Sequence, residues 1–99
     1  MATKTYPFDP SELLDDRETQ AIYLAEVVRA AQEDGNPALI TSALGDIARS
    51  RGMTAIAEKA GVSRAALYKA LRDDGDPRLS TLMGVLRALG VEITVKAAA

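Results

Sequence analysis

Gly61 separates two short runs of apolar residues set at helical spacing. Before it, Ile56, Ala57 and Ala60 fall at i, i+1 and i+4, one face of a helix. After it, Ala66, Leu67, Ala70 and Leu71 make a second stripe. A residue just past a helix end often needs positive φ, which Gly adopts without steric cost, so Gly61 ends the first helix. Ser63 is placed to cap the second, its hydroxyl accepting an orphan N–H. Ala57, four residues before the glycine, is small enough to let the two helices meet. The opposite face of the second helix shows Arg64, Ala65, Tyr68, Lys69 and Arg72. Helix, tight turn, helix, with Val62 after the glycine and Leu67 and Ala70 at buried spacing, is the helix-turn-helix pattern. Its second helix enters the DNA major groove. The alternative is a plain helical hairpin within a bundle.

A net charge of −2 is unexpected for a DNA binder, and its distribution resolves the conflict. Residues 49–72 carry six basic side chains against one acidic, a net of +5. Residues 1–36 carry three basic against eight acidic, a net of −5. A basic patch on one element is the footprint of phosphate contact. The acidic half fits either a basic partner or a solvated helix.

The chain has no Cys and no His, which removes the usual zinc ligands and the common nucleophile–base pairs. No catalytic residue, metal, cofactor or small-molecule substrate is therefore expected. With one Phe and no Trp, the core is Leu, Ile, Val and Ala, which suits closely packed helices. No apolar run approaches about 18 residues, so no membrane contact and a cytoplasmic location are expected.

In chain order, Pro7 and Pro10 around Phe8 favour extended backbone. Tyr6, Phe8, Leu13 and Leu14 are apolar enough to pack on the body or on a partner. Asp15 and Glu18 form a capping box for a helix over 16–34. Ala21, Leu24, Ala25, Val28 and Ala31 make its stripe, widened by Tyr23 and Val27. Asn36 caps the next helix and Pro37 opens it. That helix runs through Leu39, Ile40, Ala43, Leu44, Ile47 and Ala48 to Arg51, with Gly52 as its stop. Gly45 inside it costs about 1 kcal/mol against Ala, which close helix approach would explain. Asp73–Pro77 is a turn-rich loop. Ser80 or a neighbour caps a last helix built on Leu82, Met83, Val85, Leu86 and Leu89, and Gly90 ends it.

Val91–Lys96 alternates apolar and polar residues, the pattern of a half-buried strand. Nothing else in the chain reads as its partner, and a lone strand leaves unpaired backbone groups. Pairing with the same strand of a second copy, through Val91, Ile93 and Val95, satisfies them in a twofold homodimer. Such a dimer also presents two recognition helices, which must sit about 34 Å apart, or a multiple of it, to read two half-sites. The alternative is a strand folded back on its own subunit. The chain thus divides into an N-terminal arm with an acidic helix, 1–36, and a helix-turn-helix DNA-binding domain with a C-terminal dimerisation strand, 37–99. The expected fold is an all-α five-helix bundle with a short C-terminal β-strand pairing across a dimer.

Arg64 is the leading base reader, because Arg matches guanine O6 and N7 bidentately, and a phosphate contact is its alternative. Tyr68 touches a base methyl or a phosphate, or covers Leu71. Lys69 and Arg72 meet phosphates. Thr54 and Ser63 sit at helix starts, where hydroxyl and N–H groups hold phosphate oxygens; for Ser63, capping alone is the alternative. Ala65 lies on the same face. Arg78 and Ser80 reach toward the flanking backbone. Arg49 and Arg51 read as ordinary solvated charges.

The runs Leu44–Met53, Ile56–Arg64 and Leu67–Leu71, with Asp76-Pro77 and Leu86–Gly90, resemble the HigA-like addiction-module antidote proteins. Phe8-Asp9 and Tyr23-Leu24 match the start of that family. The likeness spans about residues 8–95 and departs at Asp76, where the family more often has Asn, and at Ala65, where a larger polar residue is frequent. The resemblance implies a lambda-repressor-like helix-turn-helix of the XRE/Cro type. It also implies a type II antitoxin that binds operator DNA, represses its own operon and neutralises a basic HigB/RelE-like mRNA-cleaving toxin. A stand-alone repressor without a toxin partner is the second reading. A protein-interaction module that binds no DNA is the third.

Overall fold

In the computed structural model, which describes residues 17–98, five helices follow one another: α1 Arg17–Asp34, α2 Ala38–Arg51, α3 Met53–Ala60, α4 Arg64–Ala70 and α5 Leu79–Leu89. The chain is all-α over the described residues, and its helix ends are written in local chemistry. The Asn36 carboxamide oxygen accepts from the Ala38 N–H at 3.2 Å, and Pro37 already has helical backbone angles of −65° and −17°. Gly52 divides α2 from α3. At the end of α3, Gly61 turns left-handed at φ 76°. There the Val62 N–H bonds to the Ala57 carbonyl at 3.0 Å and the Gly61 N–H to the Glu58 carbonyl at 3.2 Å. This is a Schellman turn, and Val62 packs against the core beside Ala57 as that turn favours. Ser63 then starts α4, its hydroxyl accepting from the Ala66 N–H at 3.0 Å. The same turn closes α5, where the Val91 N–H reaches the Leu86 carbonyl.

One core joins the helices. Leu44 and Ile47 of α2, Leu67 of α4, Leu71, and Val85 and Leu89 of α5 are fully buried, with Leu24, Met53, Ile56 and Ala57 around them. α1 lies mainly along α2, and α3 mainly along α5. Two glycines set how closely these elements approach. A Cβ on Gly45 would stand 2.8 Å from the Leu71 carbonyl oxygen. One on Gly84 would stand 2.8 Å from the Ala60 carbonyl oxygen. The suspected close approach at Gly45 is therefore real, and Gly84 is its unforeseen twin.

Four local expectations need correction. Ala66 is exposed, because the seven-residue α4 buries only the side that carries Leu67 and, partly, Ala70. Ser80 caps nothing: α5 begins at Leu79, and its cap residue Arg78 makes no side-chain capping bond. The α1 stripe is rotated, with Gln20, Leu24 and Ala31 buried and Ala25 and Val28 exposed. The buried side carries Gln20, a polar residue with no exposure whose side-chain oxygen accepts from both Nε and Nη2 of Arg51. Last, Val91–Lys96 does not fold back as a strand on its own subunit; no strand occurs among the described residues. A strand exists only in a ladder, and every other described element is helical. The predicted packing of Tyr6, Phe8, Leu13 and Leu14, the Pro7–Pro10 arm and the Asp15 half of the capping box lie outside the described residues.

The Gln20–Arg51 clasp ties α1 to the end of α2. Burial, and next the nearby Arg17 charge, pull the Arg51 guanidinium below the usual arginine value, though it stays charged. Arg51→Met strips the buried Gln20 oxygen of both guanidinium donors and is expected to lower stability by about 1–3 kcal/mol. Adding Gln20→Leu should recover most of that loss, since matched apolar replacement of both partners is close to neutral. Urea denaturation of the two singles and the double measures this. Strictly additive losses would show that the two side chains do not act as a pair.

Candidate nucleic-acid interface

The eight residues singled out from the sequence, Thr54, Ser63, Arg64, Ala65, Tyr68, Lys69, Arg72 and Arg78, are all exposed. Thr54 stands in the first turn of α3 and Ser63 caps α4. Arg64, Ala65, Tyr68 and Lys69 occupy α4, and Arg72 follows it by two residues. Arg78 precedes α5, beyond the loop. The inward side of α4 is held by Leu67, whose exposure is 0 %. A helix of seven residues has little intrinsic stability. Its orientation therefore comes from Leu67 and Leu71 in the core, and that orientation turns Arg64, Tyr68 and Lys69 to solvent.

Arg64 and Tyr68 form a unit. They are four residues apart, so their side chains lie one above the other. The guanidinium carbon sits 5.4 Å from the Tyr68 ring centroid, and Nη2 donates to the phenol oxygen at 3.3 Å. Cation–π contact at an exposed site is worth about 0.5–1 kcal/mol. That is enough to bias the Arg64 rotamer and to leave its remaining donors turned outward. Tyr68 thus packs with Arg64, a pairing that its expected role as a cover for Leu71 did not include.

The basic segment is less uniform than its sequence charge implies. Arg49 pairs with Asp46 at 2.7 Å, and Arg72 with Asp74 at 3.1 Å. Both pairs are largely exposed, worth at most about 1 kcal/mol, and leave each arginine able to exchange partners. Arg51 differs, because it is half-buried and its guanidinium donates to the buried Gln20 oxygen. Lys59, Arg64 and Lys69 have no carboxylate partner among the described residues. Arg51 was misread as a solvated charge. The available signal was Gln20, which lies four residues before Leu24 and eleven before Ala31, on the apolar face of α1.

Among the described residues no group of three or more carboxylates is placed to hold a metal. No described helix is long and apolar enough to cross a membrane. The surface around α4 offers hydrogen-bond donors and positive charge, which is binding chemistry directed at anions and acceptors.

A family described as "Probable addiction module antidote protein" matches residues 4–97. A Haemophilus influenzae protein described as uncharacterized is 46 % identical over 96 residues, covering 97 % of this chain and 95 % of that one. No solved structure matches. With both matches running nearly end to end, the chain belongs to the family of probable addiction module antidote proteins.

Proposed function

We propose that the chain is the antitoxin of a type II toxin–antitoxin module. It acts as a dimeric helix-turn-helix repressor of its own operon and neutralises a HigB/RelE-like mRNA-cleaving toxin in the cytoplasm. α3 and α4 are the two helices of the motif, and α4 is the recognition helix, of the XRE/Cro type found in HigA-like antidotes. The observation that carries this reading is the two-sidedness of α4. Leu67 has no exposure, while Arg64, Tyr68 and Lys69, all within three residues of it, stand in solvent. An antidote family supports a toxin partner in general, and the acidic 1–36 half suits a basic one by charge. The protein needs no cofactor for this role and no catalytic residue.

A mobility shift with the DNA upstream of its own gene tests the repressor half. Binding is expected and should fall steeply with salt, because phosphate contacts release counterions. Arg64→Ala should weaken it by about 1–3 kcal/mol and relax discrimination at one base position. Lys69→Ala should weaken all sequences alike and reduce the salt slope by about one. Unchanged operator affinity in the Arg64 variant removes its role as a base reader. No salt-dependent shift on that DNA favours the protein-interaction reading. Co-expression with the adjacent reading frame, with copurification and a growth test, examines the toxin half; a neighbour that neither binds nor slows growth leaves the stand-alone repressor.

A further inference from the structure

The residues after Gly90 are complementary to a second copy of themselves. Val91, Ile93 and Val95 alternate with Glu92, Thr94 and Lys96. Val91, Glu92 and Ile93 line a shallow open groove with Met83, Leu86 and Arg87 of α5. In α5 and this tail Leu79, Met83, Ile93 and Val95 leave 71, 46, 56 and 93 % of their surfaces exposed. Neither Glu92 nor Lys96 makes an ion pair with a described residue of its own chain.

We infer that two copies pair antiparallel through this tail with Thr94 on the twofold axis, a register that rests on the dimer proposed above. Directly opposite residues of an antiparallel pair share one face. With Thr94 opposite the partner's Thr94, Glu92 stands opposite the partner's Lys96, and Ile93 opposite the partner's Val95. By symmetry each of these pairs occurs twice. One face of the ribbon is then wholly apolar, and the other carries two ion pairs around a threonine pair. Centring on Glu92 or Lys96 sets like charges face to face. Centring on Ile93 or Val95 leaves Glu92 and Lys96 without a counter-ion opposite. Centring between two residues puts apolar side chains opposite polar ones and mixes the faces. A parallel, in-register pair sets Glu92 beside the partner's Glu92. A two-stranded ribbon is marginal alone, and Met83 and Leu86 of each copy supply the apolar floor it needs.

The chain has no cysteine, so a single introduced one reports the axis directly. Opposite residues have Cα atoms about 4.5–5.5 Å apart, within disulfide reach. Oxidised Thr94→Cys protein should run as a covalent dimer on a denaturing gel. Glu92→Cys should not, since its two copies lie four residues out of step, about 13 Å along the ribbon. In parallel, Glu92→Lys and Lys96→Glu should each weaken dimerisation about tenfold or more, and the double charge swap should restore it. Light scattering on the unmodified chain separates the two claims. If it is a dimer but Ile93→Cys or Val95→Cys crosslinks in place of Thr94→Cys, or the double swap fails to restore pairing, the register is wrong and the dimer stands. A monomer at micromolar concentration overturns the dimer and the register together.

Discussion

Leu67→Ala is expected to lower the free energy of unfolding by about 2–5 kcal/mol. Leu67 is the largest wholly buried side chain of α4, and it meets the core formed by α2, α3 and α5. Domains of this size have about 5–15 kcal/mol in all, so the loss is a large share of the total. The effect reaches further than global stability. α4 has seven residues, and an isolated helix of that length does not hold in water. Without the Leu67 anchor its outward residues lose their fixed orientation. Operator affinity should therefore fall even at temperatures where most of the variant is folded. Tyr68→Ala provides the contrast, since an exposed residue on the other side should change stability by about 0.5 kcal/mol or less. Urea denaturation and a mobility shift on the same samples measure both effects. A Leu67→Ala protein as stable as the parent would mean that α4 is not seated on the core, and the proposed recognition surface would lose its support.

Gly45→Ala and Gly84→Ala are expected to destabilise, against the direction that helix propensity gives. In an exposed helix interior, replacing Gly by Ala gains about 1 kcal/mol. Here each new Cβ would stand 2.8 Å from a backbone oxygen, that of Leu71 for Gly45 and that of Ala60 for Gly84. Neither oxygen is the far end of a flexible side chain. Ala60 ends α3 and Leu71 directly follows α4, so the neighbouring helix itself must move. Overpacking of this kind costs about 1–3 kcal/mol and exceeds the propensity gain. Gly45→Val and Gly84→Val forgo most of that gain and add bulk, so they should lose more, on the order of 3 kcal/mol. Thermal or urea melts of the four variants are sufficient. A rise in stability for either alanine variant would show that the neighbouring backbone can yield at that contact at little cost.

Much of the fold was legible because helix ends are local events. Gly61, Ser63, Asn36, Pro37 and Gly90 act through bonds to residues a few positions away, and the chain around them specifies those bonds. The two-sidedness of α4 was legible for the same reason at Leu67 and Lys69, since periodicity on a short helix leaves little choice. Ala66 was misplaced because Ala fits either side of a helix and its exposure depends on what lies opposite.

By itself the sequence determined a run of helices over the described residues, most of the points where they stop, and which side of α4 carries charge, because each rests on contacts within about one turn of chain. Only the tertiary structure decided that Gln20 is a core residue, that Arg51 turns to it rather than to solvent, and that Gly45 and Gly84 mark points of contact. Those outcomes depend on which distant segment arrives at a given face. Residues 31 positions apart meet in the Gln20–Arg51 clasp, and no local periodicity encodes a meeting at that separation.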